Sequence, residues 1–186
     1  YATGKWIAFI DNDDMFEPDA FSKARDYIET HDVPYILCTS FREWDPNKEQ
    51  YTRDFIGEVT DTWLHGKFFN RVELLEKFNI HFKDDLYSHE DVYFNSTILG
   101  NLIGHNLDYV YAEDIFTYKW VINPQSISRS YYNTNHFYIE TYLNDYIMGA
   151  SYPYFDMIDQ YPEHKSFYVH QIMMTLLHAF FYFDAS

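Results

Sequence analysis

Asp11, Asp13 and Asp14 place three carboxylates within four residues, directly after the apolar run Trp6-Ile7-Ala8-Phe9-Ile10. Carboxylates this close repel one another unless something neutralises them. A hard divalent cation, Mg²⁺ or Mn²⁺, does so and shares its coordination with substrate phosphates. The competing reading is a solvated turn that caps a helix. A second group is Ser88-His89-Glu90-Asp91. Ser88 and Asp91 fit a capping box. A carboxylate fixed at a helix start, kept ionised by the helix dipole, also suits a general base. A third group runs from Tyr118-Lys119-Trp120 to Arg129. Lys119 and Arg129 could hold a pyrophosphate if placed near a metal, or be ordinary surface charges. His65-Gly66-Lys67 could contact a substrate, although a surface histidine is the plainer reading. The histidines form no H-x-x-x-H pair, so zinc has little support. A serine triad has no G-x-S-x-G elbow here.

These residues need a scaffold. The run at 6–10 reads as a strand buried on both faces, as in a mostly parallel sheet. Glu17-Pro18-Asp19 opens a helix whose buried face is Ala20, Phe21, Ala24, Tyr27 and Ile28. Residues 35–41 read as the next strand, with Cys38 in the core. Strand, helix, strand marks an α/β layer. Residues 42–62 form an excursion with a short strand at 50–56. A strand over 62–70, a short helix over 71–78 and a helix over 88–99 ending at Gly100 follow. A β-rich run spans 107–121, and Asn123-Pro124-Gln125-Ser126 is a turn. From Asn135 the chain reads as helical. Ile172, Met173, Leu176, Leu177, Phe180 and Phe181 form a wide apolar stripe, expected to pack on the core or on a missing segment. A membrane span is the poorer reading, because Gln171 and His178 interrupt a run that is already short.

The composition sets outer bounds. The chain has 186 residues and a net charge of −16. That charge argues against binding nucleic acid through its phosphates. A hydrophobic share of 47% is too large for a disordered acidic tail. The single cysteine excludes an internal disulfide and a four-cysteine zinc site, and suits a reduced, cytoplasmic setting. The absence of an initiating Met, with a strand only a few residues after Tyr1, predicts a piece of a longer protein.

In this order the motifs resemble those of a family-2 glycosyltransferase of the GT-A fold. Gly4 to Asp14 is similar to the family's strand and D-x-D segment. His65 to Arg71 is similar to the strand after the acceptor-side excursion. His89-Glu90-Asp91 resembles its E-D motif, and Tyr118 to Ser128 its aromatic-basic segment ending in S-I-S. The resemblance implies an α/β fold: a partial GT-A mixed sheet flanked by helices. Residues 1–130 would be the metal and acceptor side of the domain, and 131–186 a helical extension. It implies Asp11 and Asp13 as ligands of Mg²⁺ or Mn²⁺, with Asp14 beside them. Asp91 would be the base and Glu90 its orienting partner. Asp14, His65, Lys67, His89, Lys119, Trp120 and Arg129 would bind substrates, and Trp63, Tyr87 and Tyr118 could stack on sugars. The donor would be a nucleotide-diphosphate sugar, with inversion at the anomeric carbon. The acceptor would be a saccharide, a lipid-linked species or a protein.

The family's nucleotide-binding half, upstream of the D-x-D, has no counterpart in this sequence. The chain alone is therefore expected to be catalytically weak or inactive. Two rivals stay open. A haloacid-dehalogenase-type phosphatase also places D-x-D after an apolar strand, with the first Asp as nucleophile. A non-catalytic carbohydrate-binding or assembly module would use the aromatics alone. A cytoplasmic location is expected, association with the inner membrane face included. Self-association is left open.

Overall fold

The computed structural model describes residues 2–56, 63–126 and 136–183. These residues fall into two compact units.

The first unit is a mixed six-stranded sheet with one α-helix and a short π-helical turn. Its strands are β1 (Trp6–Ile7), β2 (Met15–Phe16), β3 (Ile36–Asp45), β4 (Gln50–Phe55), β5 (Lys67–Asn70) and β6 (Val110–Val121), with α1 (Ala20–Thr30) between β2 and β3. The order is β1-β5-β3-β6-β2. β3 is the spine. One side carries β6, paired in parallel from Leu37↔Val110 to Trp44↔Val121. The other side carries β5 at Ile36–Cys38, then β4 from Phe41 onward, both antiparallel. The handover falls at Thr39, whose N–H donates to the Gly66 carbonyl at 2.8 Å. Gly66 has φ +69°, and a Cβ there would lie 2.6 Å from the Thr39 carbonyl oxygen. Only glycine combines that backbone angle with that approach.

The run at 6–10 differs from its expectation. Only Trp6 and Ile7 pair, antiparallel with Asn70 and Phe69, and Ile10 is exposed. β1 ends the sheet with a single neighbour, so its residues are half-buried, not enclosed on both faces. α1 buries Ala20 and Ala24, and Ala24 packs with Val33, Leu37, Phe68 and Ala112. Small side chains let the helix approach closely. Phe21, expected in that face, is 59% exposed, tilted against Phe16 and edge-on to Phe68. The short helix after β5 is a π-helical turn, Arg71–Glu76, capped by the Asn70 side chain accepting from the Glu73 N–H.

The second unit is helical: α2 (Glu90–Gly104), α3 (His136–Gln160), a 3₁₀ turn (Pro162–His164) and α4 (Lys165–Phe183). The expected capping box does not form. His89, in the left-handed region, is the N-cap and makes no side-chain cap bond. Ser88 bonds instead to Asp145 of α3. Gly100 does not stop α2. A Cβ there would sit 3.1 Å from Met157, so the glycine serves close packing with α3. The stop is a Schellman motif on Asn106 (φ 53°), with Leu107 N–H donating to the Leu102 carbonyl and Asn106 N–H to that of Ile103. Tyr154, Met157, Tyr168 and Ile172 form the α3–α4 core.

α4 has two apolar faces. Tyr168, Ile172, Thr175 and Ala179 are buried at helical spacing. Of the expected stripe only Ile172 packs inward. Met173, Leu176, Leu177, Phe180 and Phe181 are exposed. All but Leu176, which flanks the buried row, lie about 100° or more around the helix from its centre. No described helix is long and apolar enough to cross a membrane.

Candidate functional site

Asp11 to Asp14 form a tight turn after β1, with Asp14 N–H donating to the Asp11 carbonyl at 3.1 Å. The end of β6 holds this turn. The Tyr118 hydroxyl donates to Asp14 Oδ2 at 2.7 Å and accepts from the Asp11 N–H at 3.3 Å. Val121 N–H donates to Asp14 Oδ1 at 2.8 Å. Asn123 Nδ2 donates to Asp13 Oδ2 at 2.8 Å. The pairs Met15↔Lys119 and Phe16↔Tyr118 join β2 to the same strand.

The three carboxylates therefore differ. The Asp14 side chain is 2% exposed and that of Asp11 69%. Asp13 is half-buried. Burial pushes the Asp14 carboxyl above its ordinary range, and the bonds from Tyr118 and Val121 offset part of that rise. The Tyr118 phenol is pushed up, first by burial and then by its bond to Asp14. Asp14 is thus the internal brace of the turn, Asp11 faces outward, and Asp13 is half-buried against Asn123.

His65 completes the cluster. Its side chain is 9% exposed, with Nε2 3.8 Å from Asp11 Oδ2 and 3.7 Å from Asp14 Oδ2. Its ring stacks on Tyr118 at 4.6 Å and lies 5.6 Å from Trp120. Asp11, Asp14 and His65 each offer a ligand atom, all within 4.8 Å of one another. Two carboxylates and an imidazole form a donor set that can hold a divalent ion. Asp13, named with Asp11 from sequence, is tied to Asn123 beside this group.

The remaining residues fall elsewhere. Lys119 alternates away from Tyr118 and lies on the other sheet face, its Nζ over the rings of Trp44 (4.7 Å) and Tyr51 (5.4 Å). Lys67 is buried in β5 and pairs with Cys38 across the sheet. Arg129, and Ile127 and Ser128 of the S-I-S segment, lie outside the described residues.

Glu90 and Asp91 are in the second unit, in the first turn of α2. Glu90 is exposed and Asp91 half-buried. Asp91 Oδ1 accepts from the Val92 N–H at 2.8 Å. Asp145, buried in α3, fixes the approach to this turn. Its Oδ2 accepts from the N–H groups of Tyr87 and Ser88, both at 3.0 Å, and from the Ser88 hydroxyl at 3.3 Å. Burial lowers the His89 pKa to about 4, with Asp145 acting in the opposite sense. His89 is therefore neutral near pH 7, its ring against Tyr142 and Tyr146. Sequence reading passed over Asp145 and Asn123. Asn123 stood in a recognised turn motif, while Asp145 gave no local signal.

Residues 1–90 match the sequence model of the family described as Glycosyl transferase family 2. No curated protein matches the chain. Among solved structures, the chain is similar to S. aureus TarS 1-349 in complex with UDP-GlcNAc, at 18% identity and a TM-score of 0.61, covering 98% of this chain and 50% of that one. A second structure of S. aureus TarS 1-349 matches at 18% identity and a TM-score of 0.60, covering 98% and 48%. The chain spans about half the length of these structures. The likeness is one of fold: a mixed sheet flanked by helices, of the GT-A type, with helices following it.

Proposed function

We propose, with the family match over residues 1–90 as premise, that this chain is part of a glycosyltransferase. It would move a sugar from a nucleotide-diphosphate sugar to an acceptor hydroxyl, with inversion. The observation that carries the reading is the Asp11–Asp14 turn, held by the end of β6 so that Asp11 is exposed and Asp13 is oriented by Asn123. The UDP-GlcNAc bound to S. aureus TarS supports a nucleotide-sugar donor.

In this reading Asp11 and Asp13 bind a divalent ion, with Asp14 and His65, which cluster with Asp11, completing its surroundings. A nitrogen donor favours Mn²⁺ over Mg²⁺. When bound, the ion neutralises the leaving diphosphate. Asp14 keeps the turn rigid. Asp91, at the positive end of α2, takes the proton of the acceptor hydroxyl. Glu90 shares that helix turn. Trp120, next to His65, offers a ring face to a sugar. His65, His89 and Arg129 remain candidates for substrate contact, whereas Lys67 is buried in β5 and Lys119 lies on the other sheet face. The family match favours this reading over the phosphatase.

The test is metal-dependent binding of UDP-sugars by the native protein and its variants. Asp11→Ala and Asp13→Ala are expected to abolish Mn²⁺-dependent binding. Asp91→Asn is expected to lower transfer at least about 1,000-fold while sparing donor binding. Donor binding that ignores both metal and Asp11 would support the carbohydrate-binding module instead. Normal transfer by Asp91→Asn would remove the base assignment.

A further inference from the structure

We infer that Asn123 is a positioning residue for the metal site, acting through Asp13; the inference rests on the metal reading above. Both ends of its side-chain amide are committed. Oδ1 accepts from the Gln125 N–H at 3.0 Å, while Ser126 N–H donates to the Asn123 carbonyl at 3.1 Å, which closes the turn around Pro124. This fixes the amide orientation, because the end accepting from an N–H must be the oxygen. The NH₂ end therefore faces Asp13 and donates to Oδ2 at 2.8 Å.

Asparagine is the residue that can do both. Aspartate would close the turn but present a second negative charge to Asp13. Serine would close the turn but fall short of Asp13. Alanine would do neither. The bond uses one of about four lone-pair sites on the Asp13 carboxylate, leaving the others for a cation. It also fixes the plane in which those sites lie. Orientation of a ligating carboxylate by a neighbouring donor is worth about 10–100-fold in metal affinity. The bond also joins the turn after β1 to the turn after β6, so one side chain keeps both in register.

The experiment measures Mn²⁺ affinity by water-proton relaxation in the presence of UDP, alongside thermal unfolding. Asn123→Ser keeps the turn and loses the donor; Asn123→Ala loses both. Both variants are expected to bind Mn²⁺ about 10–100-fold more weakly, and only Asn123→Ala is expected to lower Tm. Native affinity in Asn123→Ser overturns the inference and leaves the metal reading standing. Asp13→Ala reports on that reading itself. If Asp13→Ala binds Mn²⁺ as tightly as the unaltered protein, or the unaltered protein binds none, the metal reading falls and the inference with it.

Discussion

Asp14 shows how one acid in a cluster can be structural while another, Asp11, faces solvent. The Asp14 carboxylate is enclosed and receives bonds from Tyr118 and Val121. Tyr118→Phe removes a donor from a buried charge, and is expected to cost about 1.5–3 kcal/mol, read from the urea midpoint. His89 gives a prediction in pH. Its folded pKa of about 4 lies below the ordinary 6.5. Between those values the unfolded chain binds a proton that the folded one excludes. The histidine's contribution is thus complete above about pH 6.5 and is lost as pH falls toward 4, by up to about 3 kcal/mol. Asp14, raised above its ordinary value, acts in the opposite sense, since protonation relieves its buried charge. Comparing urea midpoints of the native protein and His89→Asn between pH 7 and 4 isolates the histidine. Asparagine tolerates the left-handed backbone there, and its profile should be flatter. The acidic turn itself was legible, because three carboxylates after an apolar run stand out in any sequence. The differences among them were not, since those depend on β6, about 100 residues away.

At the scale of elements, the sequence showed which segments were strands and helices better than it showed their surroundings. The strand near 36–41, the strand at 50–55 and the turn at 123–126 fall where turn chemistry and apolar runs place them. Burial was misjudged where a pattern of apolar residues had no neighbour to cover it. β1 is apolar yet ends the sheet, and α4 is apolar on two sides with one packed. Ile172→Ala is accordingly expected to cost about 2–4 kcal/mol. Phe180→Ala, at 65% exposure, should change stability by less than about 0.5 kcal/mol. Equal effects on the unfolding midpoint would show that the two faces are covered alike. One glycine also differs from its expected role. Gly100, expected as a helix stop, makes room for Met157, and Asn106 supplies the stop. Gly66 is where backbone geometry is decisive. Gly66→Ala is expected to cost more than about 2 kcal/mol, through its positive φ and the clash with the Thr39 carbonyl, measured by chemical denaturation.

For the molecule as a whole, the net charge of −16 does more than discourage phosphate binding. Like charges in a compact chain repel, and the folded state bears that repulsion more than the expanded one. Moderate salt should therefore raise Tm, until the screening length falls below the spacing of the acids. The fold class was legible in the alternation of strands and helices, whereas the exposed aromatic surface of α4 was not. Cys38 carries a practical consequence. It lies near the start of β3, 3% exposed, with its thiol pushed up by burial to about 11. A thiol so placed is shielded from the solvent and from ionisation together. Being the only cysteine, it makes the untagged chain its own clock: alkylation at neutral pH should proceed only as fast as β3 separates from its neighbours, giving the opening rate of the sheet's spine from a single covalent label.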